Sequence, residues 1–210
     1  MLSAPLAVSQ LEAIALEIAR MQAIVAGLPT AGRYGYAAAP AEAPRARWSD
    51  VLDDSIAKSR RRIVANGFYD LGPVVAAEAV LAGLRREADE QPATPYLHDT
   101  TTKNVIVAPD GTLSGIVDVD DLCYGDPRAP IALTMAATLA FTGTSPYAGL
   151  WLKHAGHRDD RLFRLYVALC LLDFMSEQGE VFNGNEAASS GELRAHLQAL
   201  FETQLRLAAG

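Results

Sequence analysis

The chain has 210 residues, half of them apolar and a fifth charged, which is the composition of a folded globular protein and excludes a disordered one. Its 18 Lys and Arg against 25 Asp and Glu leave a net charge of −7, without the basic stripe that nucleic-acid binding needs. No apolar run is long enough for a membrane span, no basic leader segment opens the chain, and the two cysteines lack metal or redox spacing, so a cytoplasmic protein with reduced thiols is expected.

Leu11, Ile14, Ile18, Met21, Val25 and Leu28 recur every three or four residues and predict a first amphipathic helix. Ser9 and Glu12 form a capping-box pattern at its start, and Pro29 and Gly32 stop it. The Ala/Pro-rich stretch Tyr34–Arg47 reads as a surface loop. Trp48, Leu52, Ile56 and Ile63 mark a second helix ending near Asn66-Gly67, and the triple Arg60-Arg61-Arg62 reads as its solvated face. Pro73 suits the first turn of a third helix carrying Val74, Val75, Leu81 and Leu84, broken by Gln91-Pro92.

The pattern then changes. Val105-Ile106-Val107 and Ile116-Val117 are short β-branched runs around the turn signal Pro109-Asp110-Gly111, which predicts a β-hairpin. Helices return over about Ala129–Phe141 and Asp160–Gln178, the latter with a stripe of Leu162, Leu165, Leu169 and Leu172. After the polar stretch Asn183–Ser190, a last helix is expected to follow Ser189, with Glu192 completing a second capping box. The fold class expected is mainly α with one small β-hairpin, organised as a single domain over residues 1–210.

The chemistry concentrates around that hairpin. Asp99 and Asn104 are five apart on an irregular stretch before it, and Asp118 follows its second strand, with Asp120 two residues on. A hairpin brings its ends together, so Asn104 and Asp118 can meet. One amide oxygen and one carboxylate make a hard donor pair suited to Mg²⁺. Asp99 would lie near enough to take a proton from an attacking hydroxyl. Residues 89–126 hold eight acids and one base, Lys103, so the rest of the chain is electrically balanced and the net charge belongs to this segment. The pair Asp126-Pro127 reads as a structural cap, and Lys103 as solvent-exposed.

The spacing D-x4-N, a hairpin, h-h-D-x-D/E and then Gly125-Asp126-Pro127 resembles the catalytic core of the aminoglycoside phosphotransferase and choline kinase-like superfamily. The resemblance implies the helical C-lobe of a protein kinase-like α+β fold, with catalytic loop and metal hairpin within 96–127. It implies Asp99 as the catalytic residue, Asn104 and Asp118 as Mg²⁺ ligands, and Asp120 as a further acidic member of the metal set. It implies ATP, or another nucleoside triphosphate, as phosphoryl donor and a small-molecule hydroxyl as acceptor, aminoglycoside-like or another amino-alcohol. The acidic segment would suit a cationic acceptor. Two positions depart from the pattern: Leu97 stands where the family has His, and Val119 where it has an aromatic residue.

The resemblance begins near the hinge between lobes. The three lysines, Lys58, Lys103 and Lys153, have no strand context, and no G-x-G-x-x-G occurs. A C-lobe inactive without an N-lobe is therefore expected, the N-lobe coming from upstream or from a separate partner chain. The alternative is a non-catalytic orphan C-lobe serving as a binding or assembly module. Uncovered apolar surface would then favour a homo-oligomer. The run Ile116–Asp120 also resembles the nucleophile strand of haloacid-dehalogenase phosphatases, but that motif opens an alternating βα domain, whereas helices are predicted here.

Overall fold

The structure, a computed structural model, describes residues 6–119, 122–143, 145–180 and 189–210. The chain divides into two compact units. The first takes the residues up to Trp48 together with Gln91–Asp159, and the second takes Ser49–Glu90 together with the chain from Asp160 onward.

In the first unit, helix α1 (Val8–Ala26) buries Ile14, Ala15, Ile18 and Ala19. Its start differs from the expected Ser9–Glu12 box because Ser9 is already helical. The returning bond is made by Gln10, whose Oε1 accepts from Ala7 N at 2.9 Å. Two strands, β1 (Gly35–Tyr36) and β2 (Thr94–Leu97), flank Ser49–Glu90, the first of the two segments that form the second unit. The expected hairpin follows as β3 (Val105–Val107) and β4 (Leu113–Ile116), with Val105 opposite Ile116 and Ile106 opposite Gly115. Gly111 closes its turn at φ 86°, and Asp110 Oδ1 accepts from both Thr112 N and Thr112 Oγ1. Those two bonds hold the Asp110 carboxyl below the usual carboxylate range.

A further strand, β5 (Leu122–Gly125), lies between β1 and β2 in a three-stranded antiparallel sheet of order β1–β5–β2. None of its three strands is predicted from the sequence, and β1 falls within the stretch Tyr34–Arg47 read as a surface loop. Gly125 of this sheet packs directly under the buried Trp48 ring, where any Cβ would collide with the indole. The Gly in Gly125-Asp126-Pro127 is therefore required by a close approach. Two helices complete the unit: α4 (Ala129–Phe141), matching its predicted span, and the shorter α5 (Tyr147–His154), which the periodicity had not shown. α1 packs on α5 and β2, and the core gathers Ile14, Ile18, Tyr96, Tyr124, Ile131 and Trp151.

The second unit is helical: α2 (Trp48–Asn66, from Ser49 onward), α3 (Gly72–Asp89), α6 (Arg161–Ser176) and α7 (Gly191–Ala209). The predicted stripes face inward, with Leu52, Ile56, Ile63, Leu81, Leu84, Leu162, Leu165, Leu169 and Leu172 all buried, while Val75 is exposed. α6 packs on α3 and α7. Asp160 Oδ1 caps α6 by accepting from Phe163 N at 2.9 Å. Ser190, one residue beyond the expected Ser189, caps α7 through Leu193 N. Arg62 is not the solvated side chain expected of the arginine triplet. It reaches Asp173 at 3.2 Å, Glu177 at 3.1 Å and Glu180 at 3.5 Å, while Lys58 meets Asp173 at 2.9 Å. The mainly helical architecture with small antiparallel sheets is the α+β fold anticipated from the sequence.

Candidate active site

The site is built on the first unit's hairpin and on the loop entering it, residues 98–104. The loop is tied by its own polar groups. Asn104 N donates to Thr101 O at 3.0 Å, which turns the chain back toward β3. The Asn104 side chain donates through Nδ2 to Asp99 O at 2.8 Å. Thr101 Oγ1 donates to Asp99 Oδ1 at 2.8 Å. Thr100, Thr101 and Asn104 are all buried, so a seven-residue loop hides three polar side chains, and their bonds replace the water they lose.

At the other end of the hairpin, Val117 N donates to Asn104 O at 2.9 Å. This bond extends the β3–β4 ladder by one step and brings Asn104 beside the residue preceding Asp118. Asn104 spends its amide nitrogen on Asp99, and its Oδ1 makes no hydrogen bond among the described residues. Asp118 is exposed, and its carboxylate has no ion-pair partner among the described residues. It is also the single non-glycine residue among those described with positive φ, at 57°. Asp tolerates the left-handed region better than most side chains, yet the conformation still costs about 1 kcal/mol, and such outliers gather at functional sites. An open amide oxygen and an open carboxylate at adjoining ends of one hairpin fit a hard cation such as Mg²⁺ by donor chemistry.

Asp99, Asn104 and Asp118, the residues singled out in the sequence, thus lie on one loop-and-hairpin unit. Asp120 lies outside the described residues. The strand context of Ile116-Val117-Asp118 is a two-stranded antiparallel hairpin, not the parallel sheet that a dehalogenase-type nucleophile strand would open. By the register, Asn104, Ile106, Gly115 and Val117 share one hairpin face, and Ile106 and Val117 stand exposed on it.

The Gly125-Asp126-Pro127 loop has a different character. Asp126 is 1% exposed and accepts from Arg128 through both carboxylate oxygens, with Arg128 Nη2 to Oδ2 at 2.6 Å and Arg128 Nε to both oxygens at 3.0 Å. Arg128 N adds a bond to Oδ1 at 3.0 Å. This carboxylate is consumed by structure, but not as the helix cap expected of it: Arg128 is the N-cap residue of α4, without a side-chain cap bond, and it is Arg128 that takes the Asp126 carboxylate.

Two residues of the site were missed in the sequence. Thr101 orients Asp99, and Gln22 of α1 bonds Leu97 and Thr100. The signal for Gln22 was its position, a polar residue on the buried stripe of α1.

A family model described as the phosphotransferase enzyme family matches residues 1–166. The chain belongs to that family. Among solved structures, a thermostable mutant of the aminoglycoside phosphotransferase APH(4)-Ia in apo form aligns with a TM-score of 0.68 at 17% identity, over 98% of this chain and 68% of that one. A ternary complex of a thermostable APH(4)-Ia mutant with AMP-PNP and hygromycin B gives 0.66 at 18% identity, over 98% and 68%. ADP-bound APH(2'')-Ib gives 0.60 at 14% identity, over 98% and 67%. At these identities the likeness is one of fold. A search of curated protein sequences gave no match. No helix among the described residues is long and apolar enough to cross a membrane.

Proposed function

We propose that this phosphotransferase-family chain carries the catalytic half of an ATP-dependent transfer of phosphate to a small-molecule hydroxyl. The observation that carries the reading is the placement of Asn104 Oδ1 and the Asp118 carboxylate at adjoining ends of one hairpin, with Asp99 bonded to the same Asn104. Asn104 and Asp118 would hold Mg²⁺, and Asp120 is proposed as a further acidic group of that set. When bound, the ion supplies charge neutralisation on the phosphates.

The chain's own residues do the rest. Thr101 holds Asp99 Oδ1, leaving the other carboxylate oxygen to accept the proton of the attacking hydroxyl. Asn104 Nδ2 donates to the Asp99 peptide oxygen, which ties the base's backbone to the ligand residue. An acceptor bearing amines, such as an aminoglycoside, suits the acidic segment. The APH(4)-Ia neighbour solved with hygromycin B supports that class.

Titrating the chain with MgATP and an aminoglycoside tests the reading. Saturable nucleotide binding is expected, together with phosphate transfer that falls by about 100-fold or more in Asp99→Asn. A flat titration overturns it for this chain. A second reading is favoured by the lysines: Lys58 is on α2 and paired to Asp173, Lys103 is in the turn before β3, and Lys153 is on α5, so none lies on a strand. In that reading the phosphates are covered by a separate partner chain, or the lobe acts as a binding or assembly module. Mg²⁺ binding without turnover is its signature. Self-association through Ile106 and Val117 is the companion expectation, and a concentration-independent monomer in sedimentation removes it.

A further inference from the structure

α1 buries Ile14 and Ala15, then Ile18 and Ala19, and the next position on that stripe is Gln22, 9% exposed. A buried amide left without partners costs about 1–3 kcal/mol, so its bonds decide whether it belongs there. Gln22 Oε1 accepts from Leu97 N at 3.0 Å. Gln22 Nε2 donates to Leu97 O at 2.8 Å and to Thr100 Oγ1 at 3.2 Å. Both amide protons and one carbonyl lone pair are used.

The partners bracket Asp99, one two residues before it and one directly after it. Leu97 is the last residue of β2, which pairs with β5 along its other edge. On the edge facing α1, successive outward N–H groups belong to alternate residues. Pro95 has none to offer, so Leu97 is the point where α1 can grip the strand. The Gln22 amide therefore stands in for the peptide of a neighbouring strand, at the position where the loop leaves the sheet.

We propose that Gln22 is a positioning residue for Asp99: its amide sets where the 98–104 loop departs from β2, and so where the Asp99 carboxylate sits relative to Asn104 and Asp118. The inference rests on the reading of Asp99 as the base. Asn104 is held to the hairpin by Val117 N, independently of Gln22. Losing Gln22 thus displaces Asp99 while leaving the ligand pair in place.

The test uses the full chain and two variants. Gln22→Leu keeps the stripe apolar and removes all three bonds. Gln22→Glu keeps the acceptor for Leu97 N but, when ionised, turns a second oxygen on Leu97 O. Amide exchange at Leu97 and in 98–104 is expected to rise by about tenfold or more in Gln22→Leu, with the α1 and hairpin amides unchanged. kcat is expected to fall about 10- to 100-fold at an unchanged KM for MgATP. Gln22→Glu recovers kcat as pH falls, because a protonated carboxyl can again donate to Leu97 O. Unchanged exchange, an unchanged kcat, or kcat and KM lost together with the fold in both variants would overturn the proposal. If the wild-type chain shows no turnover, the single-chain catalytic reading fails on its own, and amide exchange alone decides whether Gln22 sets the loop. Should Gln22→Leu not fold, the pH dependence of exchange in Gln22→Glu makes the same decision.

Discussion

At the end of α6, the carboxylates of Asp173 and of Glu177 just beyond it are met by Lys58 and Arg62 of the same unit, whereas after the β3–β4 hairpin Asp118 stands exposed with no ion-pair partner among the described residues. The same residue type is consumed in one region and left open in the other. Asp126 sharpens the contrast from inside the acidic segment: it is buried, and Arg128 closes it completely. A carboxylate that leaves water must find a cation within the protein, because desolvating an unpaired charge costs several kcal/mol. One that stays in water keeps its capacity for a cation from outside. The net charge of −7 therefore says less about binding than the list of carboxylates that no base has already taken.

The contrast can be broken at four points. Asp126→Ala leaves Arg128 as an uncompensated buried charge, and chemical denaturation should show a loss of about 3–5 kcal/mol. A loss below about 1 kcal/mol would mean that the pair is not sealed from water. Asp118→Ala is expected to weaken MgATP binding at least about tenfold by calorimetry while changing stability by no more than about 0.5 kcal/mol. A large stability loss would place Asp118 on the structural side of the comparison. Arg62→Ala frees Glu177 and Glu180 and leaves Asp173 to Lys58. A loss of about 1 kcal/mol that shrinks in high salt is expected, without effect on MgATP binding.

The smallest effect concerns pH. Burial, and then repulsion from Asp173, raise the Glu177 carboxyl above its ordinary value, against the pull of Arg62 and Lys58. A carboxyl whose folded-state pKa lies above its unfolded value binds its proton more readily when folded. It therefore opposes folding at neutral pH, and that opposition is relieved as pH falls through the raised value toward the ordinary one. Glu177→Gln should flatten this part of the stability–pH curve. A curve unchanged by the substitution would show that the group is solvated.

Much of the helical frame was legible because helix signals are local. The stripes of α2, α3 and α6, Pro73 in a first turn, and the span of α4 rest on residues three or four apart. The hairpin was legible for the same reason, through β-branched runs around Pro109-Asp110-Gly111. The β1–β5–β2 sheet was not. Its strands have two to four residues, too few for alternation to register, and Gly35 pairs with Tyr124 across almost ninety residues. The eight residues of α5 were likewise too few for the period to stand out. The caps of α1 and α7 were misplaced by a residue or two, since several Ser and Gln near a helix start can each serve.

The sequence by itself determined the candidate site's membership: Asp99, Asn104 and Asp118 at kinase-like spacing, with the family resemblance they carry. That they share one loop-and-hairpin unit follows from one short-range device, a hairpin that brings its own ends together. Only the tertiary structure decided which acids are free and what steadies the loop. Charge pairing and burial depend on partners distant in sequence, as with Lys58 and Asp173, or Gln22 and Leu97. A glutamine on an apolar stripe is a discordant letter until the strand it grips is folded beside it.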